Sequence, residues 1–564
     1  MHRRNLFAVV ALLATHIASA QTPSLPDRIR QFDADLTSLE TFYPIEWSEP
    51  RCARFQVFFD QQSADLAKVD VKKLKIDDQI DAKLLANYIE SRENEIALLR
   101  TQSAEIKPLV PFQQEAAGLE EARVATHPFG PEESAKILQR ILEQAQTAQT
   151  AFNKSIESGV GKPPASVAKR AASRVDAVSR ILADWYREFD GFVPTFSWWC
   201  KKPFDDLRKT LADYSSDLRH KGAGFVDGQD APLIGDPIGR DAYVKQMKTE
   251  LLGISPEEMI ARAEKEADWC HAELKKASNQ MGFGDDWKKA LDKVKQDHGA
   301  PGEQAATISG LENEVIEFVT ARDLLTVEPI TRESWTWTMT STQDEKTWPF
   351  PTYGFYKVMV PYATADMDQK TKEQVFRGNG IHFLRNVVPH ELIPGHHLQM
   401  LAASKYAGYR SRFSTPFLIE GWAFYWEMRL WDLGWPKSPE DRIGMLFWRL
   451  HRCARVIVST RFHLGQITPP QMIDYLINEV GHEPEMAKAE VRRYLAGDYS
   501  PLYQCAYQVG ALALKDLHEE IVVKGGMTEK LFHDTIVKQG AIPVSLIGEK
   551  LRSMVKKTQG GSRS

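Results

Sequence analysis

Residues 388–399 read Val-Pro-His-Glu-Leu-Ile-Pro-Gly-His-His-Leu-Gln, and Glu420 follows His390 by thirty positions. Two imidazoles and a distant carboxylate are a ligand set of a catalytic zinc, which keeps its fourth position for water. Glu391, next to His390, would supply the base that such a water needs. The spacing, however, departs from the simplest helical version of this chemistry. Two histidines four residues apart on a helix face one ion, and here the next histidines are His396 and His397, six and seven positions after His390. On an unbroken helix the first would point about 240° away and the second would lie about 10 Å further along the axis. Neither could then share a zinc held about 2.0–2.1 Å from each nitrogen.

The helix must therefore be deformed between the histidines, and the intervening residues supply the means. Pro394 has no N–H and would clash with the carbonyl four residues back, that of His390, while Gly395 tolerates almost any backbone angle. A bulge or break at 393–396 would return one of the two histidines to the metal. The alternative is a helix that simply ends at Pro-Gly, with both histidines capping the next segment. Glu420 weighs against that. It sits between Phe417-Leu418-Ile419 and Trp422-Ala423-Phe424, where an unpaired buried carboxylate is costly and a cation is needed. Its competing role is a helix-start carboxylate after Ser414-Thr415-Pro416.

The runs around these residues, together with Arg492-Arg493-Tyr494, Ala506-Tyr507-Gln508-Val509-Gly510 and Ile238-Gly239-Arg240-Asp241-Ala242-Tyr243, resemble the bacterial domain-of-unknown-function family 885. That family is similar in turn to the helical gluzincin metallopeptidases, of the neurolysin, angiotensin-converting-enzyme and Taq carboxypeptidase types. The resemblance covers most of the chain. It implies His390, His396 and Glu420 as ligands of one zinc ion and Glu391 as general base. Tyr507 would be a hydrogen-bond donor to the oxyanion, and Glu427 the carboxylate that orients a zinc-binding histidine, against an exposed partner for Arg429 or Lys437. It also implies a large, two-lobed, neurolysin-like helical architecture with a deep cleft. The chain departs from the family pattern at Pro501-Leu502-Tyr503-Gln504 and at Ser459.

Those residues need a scaffold, and the rest of the chain reads as mainly α. Ser255-Pro256-Glu257-Glu258 is a helix start with cap, proline and capping-box glutamate, and periodic Ala- and Glu-rich stretches cover 62–105, 132–157 and 165–188. Breaks are expected at 107–131, 219–238 and 299–302. The small β element expected near the zinc helix is Gly354–Pro361, an edge strand able to pair with an extended peptide or a plain hairpin. Trp335, Trp337 and Trp348 nearby would line a cleft or simply pack.

Residues 1–20, with Arg3, Arg4, an apolar run and Ala18-Ser19-Ala20, read as a secretory signal, so an exported, periplasmic or extracellular protein is expected. The remainder divides into a single metallopeptidase-like domain, 21–556, with lobes of about 21–330 and 331–556, and a disordered polar tail from 557 to 564. No membrane span is expected, and a formal charge of -5 over 564 residues gives no basis for nucleic-acid binding. Five cysteines without CxxC spacing are not a zinc cluster and read as small buried hydrophobes. There is no P-loop and no G-x-S-x-G elbow. The expected activity is zinc-dependent hydrolysis of short peptides. The alternatives are a zinc hydrolase of a non-peptide amide or ester, and a binding protein that kept the fold.

Overall fold

A computed structural model describes residues 24–340, 350–354, 356–495 and 499–561. The expected signal at 1–20, together with Trp348 and Phe355, lies outside the described residues. The chain is mainly α-helical. Its first three helices are α1 (Leu25–Phe42), α2 (Glu49–Leu66) and α3 (Ile76–Ile106), followed by α4 (Gln113–Val124), α5 (Pro131–Ser158), α6 (Ala165–Phe189) and α7 (Pro194–Asp217). Then come α8 (Gly239–Thr249), α9 (Pro256–Gln280), α10 (Trp287–Gln296), α11 (Gln304–Ala321) and α12 (Pro329–Ser334). After a small sheet the chain continues as α13 (Gln369–Gly378), α14 (Ile381–Glu391), α15 (His396–Ala407), α16 (Pro416–Asp432) and α17 (Pro439–His463). It ends with α18 (Pro469–Tyr475), α19 (Pro484–Leu495), α20 (Ala506–His518), α21 (Glu529–Val537) and α22 (Val544–Gly561). No described helix is long and apolar enough to cross a membrane.

Local chemistry explains most boundaries. The Ser255 side chain accepts a hydrogen bond from Glu258 N at the start of α9, as its sequence predicts, and Ser438 and Thr415 cap α17 and α16 ahead of a proline at the first helical position. The stretch 62–105, read as one helix, divides at 67–75 around a short 3-10 turn, Val71–Lys73. Val69, Val71 and Leu74 there pack on the core. The expected break at 107–131 contains α4, a twelve-residue helix between proline-bearing connections. Residues 557–561, expected in a disordered tail, continue α22, since nothing before the terminal glycines stops it.

The core is sorted differently from the expected division at residue 330. Its largest cluster joins α1–α3 to α16 and α20–α22, while α4–α7 form a bundle around a core of their own, Ile106 to Leu218. All five cysteines are buried and free.

The sheet has three strands, β1 (Thr336–Met339), β2 (Thr352–Gly354) and β3 (Lys357–Val360), in the order β1-β3-β2. β2 and β3 form an antiparallel hairpin, and β1 pairs with β3 in parallel. The segment expected as an edge strand is thus the central strand among the described residues. Pro361 lies one residue past β3, so it removes no ladder hydrogen bond. Tyr353, Val358 and Val360 turn inward against α11 and α14, which sets β2 beside the end of α14.

The start of α14 is tied to α17 by His382, whose Nδ1 lies 2.7 Å from Asp441 Oδ1 and Nε2 3.1 Å from Asp297 Oδ2. Burial opposes the charge on this ring, but the two carboxylates more than offset it and raise its pKa. A raised folded pKa contributes stability that is fully present below the unfolded value of about 6.5 and is lost as pH rises through the folded value. In the His382→Gln variant, chemical denaturation should show that pH-dependent loss above about 6.5 removed, relative to wild type.

Candidate metal centre

The break predicted at Pro394-Gly395 divides two helices. α14 ends at Glu391 and α15 begins at His396, with Leu392 (φ -109°, ψ -109°) and Gly395 (φ -76°, ψ -133°) in non-helical conformations between them. The Ile393–Pro394 peptide is cis. Gly395 passes so close to the preceding helix that a Cβ there would fall 1.8 Å from the His390 carbonyl oxygen, so only glycine fits. The polar groups exposed by the break are taken up by its neighbours. Ile393 N donates to Glu312 Oε1 at 3.1 Å, and Trp422 Nε1 donates to Pro394 O at 2.8 Å. Glu312 is fully buried, and burial pushes its carboxyl well above the usual carboxylate range.

This geometry sends the two adjacent histidines in different directions. His396, the first residue of α15, turns back toward His390, with the rings 4.8 Å apart and nearly perpendicular. Its Nε2 lies 3.3 Å from Glu420 Oε2, and His390 Nε2 lies 3.6 Å from the same oxygen. The donor atoms of His390, His396 and Glu420 all fall within 4.8 Å of one another, and all three residues are buried. His397 points elsewhere. Its Nδ1 is 2.9 Å from the Tyr353 hydroxyl and its Nε2 is 3.0 Å from Thr331 O, and burial lowers its pKa. A neutral ring serves both contacts, accepting from the phenol and donating to the carbonyl.

The donor set fits a zinc ion. Two tetrahedral ligands each about 2.05 Å from zinc stand about 3.3–3.4 Å apart, close to the two histidine-to-Glu420 spacings. Glu420 Oε2 is buried and accepts no aligned hydrogen bond among the described residues, although two ring nitrogens lie near it. Its other oxygen accepts from the Tyr503 hydroxyl at 2.7 Å. Burial opposes the charge on Glu420, but His396 and His390 hold its pKa well below the carboxylate range.

The far side of His390 is equally committed. Its Nδ1 lies 2.7 Å from Glu427 Oε1, and Glu427 Oε2 accepts from Asn386 Nδ2 at 2.6 Å. Nδ1 therefore carries the proton and Nε2 is left as the donor for a metal. Against burial, Glu420 and Glu427 raise the His390 pKa to about 9 in the absence of a metal. Glu427 is thus the buried orienting carboxylate. Its expected surface partners, Arg429 and Lys437, pair with Glu529 and Glu314 instead. Glu427→Gln should weaken metal affinity by about 10- to 100-fold, read by competition with a chelator.

Glu391 completes the arrangement. Burial pushes its carboxyl up, and Oε2 accepts from the backbone N–H of Tyr353 at 2.8 Å. The N–H comes from the outer side of β2, since β2 is bound to β3 along its other side. Tyr353 thus holds Glu391 through its backbone and His397 through its hydroxyl, a pairing no motif announced. Tyr507 stacks over His390, 6.1 Å between rings and 14° from parallel, and burial raises its pKa so that it remains a protonated donor. The guanidinium groups of Arg452 and Arg455 lie 4.7 and 4.9 Å from the Tyr507 ring centroid. Arg493, by contrast, reaches the Tyr499 hydroxyl at 3.2 Å.

Both tyrosines are placed by a helix contact. α16 and α20 cross where a Cβ on Gly510 would fall 1.9 Å from Phe417 O and one on Gly421 would fall 2.7 Å from Gly510 Cα. Glycine at 421 and 510 is what lets the segment bearing Tyr503 and Tyr507 come down onto Glu420.

Comparison with known proteins agrees on the fold. The family described as bacterial protein of unknown function, DUF885, matches residues 45–551. A solved "putative lipoprotein of unknown function" from Shewanella oneidensis has a TM-score of 0.70 at 19% identity, over 94% of this chain and 100% of that one. A "putative lipoprotein" from Colwellia psychrerythraea has a TM-score of 0.62 at 16% identity, over 95% and 98%. No curated protein matches the chain.

Proposed function

We propose that this chain, which belongs to the DUF885 family of bacterial proteins, is a zinc-dependent hydrolase that cleaves short peptides. The observation carrying the reading is the convergence of His390, His396 and Glu420, with both ring Nε2 atoms 3.6 and 3.3 Å from Glu420 Oε2, and with Glu391 adjoining them in a buried site. A zinc held there would polarise a carbonyl and lower the pKa of a water towards 7. Glu391, fixed by the Tyr353 N–H, takes the proton from the attacking water and passes it to the leaving amine. The Tyr507 hydroxyl, kept protonated by burial, donates to the carbonyl oxygen as charge develops there. Glu427 holds the His390 tautomer, and Tyr503 fixes the free rotation of Glu420. An exported location is part of the proposal. It is supported by the leader-like residues 1–20 and by the description of both structurally similar proteins as "putative lipoprotein".

Elemental analysis of the purified protein should find stoichiometric zinc. Amine release from a mixed peptide library should stop on treatment with a chelator and return on addition of zinc. A protein with no metal sinks the hydrolase reading. Zinc with hydrolysis of small amides or esters but no peptide cleavage would replace the substrate class and keep the chemistry.

A further inference from the structure

A separate cavity of about 430 Å³ lies beyond the metal ligands, walled mainly by Phe350, Met367, Phe383, Phe447 and Met486. None of the site residues described above lines it. Its size is in the range of about 300–1,000 Å³ that holds small ligands, and its walls are those of an apolar binding site.

Two helices give its distance from the chemistry. Phe383 precedes His390 by seven residues on α14, which places it on the same helix face and about 10 Å away along the axis. Phe447 precedes Arg452 by five residues on α17, about 7.5 Å along the axis and about 140° around it, and Arg452 lies against the Tyr507 ring. Phe350 also lines the cavity. It lies edge-on to Trp448, 4.9 Å between rings, and leads directly into β2, whose Tyr353 N–H holds Glu391. The helices that carry the reacting groups, and the residue two before β2, thus also line the cavity. An extended peptide advances about 3.3 Å per residue, so about three residues span that 10 Å.

The cations around the cavity are paired within the protein or exposed to solvent. Lys295 Nζ is spent on Gly481 O at 3.1 Å and Glu483 Oε1 at 3.2 Å, and Arg377 on Asp292 at 2.6 Å. Lys370 and Glu373, of opposite sign, are exposed at the mouth. We infer that this cavity is a specificity pocket for a bulky apolar side chain, aromatic or long aliphatic, about three residues from the cleaved bond. The inference rests on the peptidase reading for the nature of the chain that carries that side chain.

The test compares peptide pairs that differ only in Phe or Ala at the second, third or fourth residue on either side of the cleaved bond. With wild type, kcat/KM should favour Phe by about 10- to 200-fold at one of these positions. Val375→Trp and Met367→Trp, which fill the cavity from two different segments, should reduce that ratio to within about threefold while zinc content stays stoichiometric. Binding of the same peptides to Glu391→Gln, alone and combined with Val375→Trp, reads the pocket without turnover. Cleavage without any Phe preference, or a preference that survives both filling variants, overturns the pocket and leaves the peptidase reading standing. Tighter binding of Phe than Ala peptides to Glu391→Gln, lost on filling, with no cleavage by wild type, supports the pocket and overturns peptidase activity. Absence of both binding and cleavage overturns both.

Discussion

Replacing Glu391 by Gln should leave zinc content unchanged and lower kcat for peptide hydrolysis by about 10²- to 10⁴-fold, the range over which a positioned proton acceptor contributes. The substitution is a clean one here. The amide oxygen can still accept from Tyr353 N, so the link between β2 and the end of α14 is kept. What is removed is the capacity to take a proton. Metal analysis and circular dichroism on the same preparation check that the site and fold persist. Full activity in this variant would show that another group activates the water and would remove Glu391 from the mechanism.

The second large effect separates adjacent histidines. His396→Ala should lose the metal and all metal-dependent turnover, because the remaining His390 and Glu420 leave the ion two protein ligands where catalytic zinc uses three. His397→Ala should keep stoichiometric zinc, since both its ring nitrogens are committed to Tyr353 and Thr331 away from the ligand set. Its effect should instead appear as lower thermal stability, because the ring is buried and the Tyr353 hydroxyl loses its acceptor. Elemental analysis beside a melting curve for each variant distinguishes the outcomes. Retention of zinc in His396→Ala with loss in His397→Ala would reverse the assignment.

The sequence made part of this site legible because some of its constraints are local. His390 and Glu391 are neighbours, Pro394 and Gly395 announce a break, and Glu420 and Glu427 lie on one helix at a spacing of two turns. The choice between His396 and His397 was not available at that level. It depends on the backbone angles of Leu392 and Gly395, which are fixed by contacts with Glu312 and Trp422 in other helices. Tyr353 escaped for a similar reason. Its role comes from a backbone N–H brought in by the sheet, and no side-chain motif encodes that. Tyr503 sat in a stretch crowded with tyrosines, where type alone could not tell which one reaches Glu420.

The helical fold class followed from caps and periodicity, whereas the order of the strands and the sorting of the core did not. Pro361 suggested an edge because proline cannot serve a ladder, yet it stands just outside β3. Likewise α1–α3 join the core of the C-terminal helices, a pairing across hundreds of residues to which hydrophobic patterning is blind.

The backbone contact at Gly421 and Gly510 also governs how the site can move. Two helices that touch main chain to main chain have no layer of side chains between them to shear or repack, so α16 and α20 should travel as one rigid body. Glu420, Tyr503 and Tyr507 are then a single preassembled wall. Any movement at the site would then fall to the opposite side, where Tyr353 of the short strand β2 meets Glu391 through its N–H and His397 through its hydroxyl. One carboxylate and two tyrosines would thus sit on an unyielding half, facing His390, Glu391 and His396 on α14 and α15.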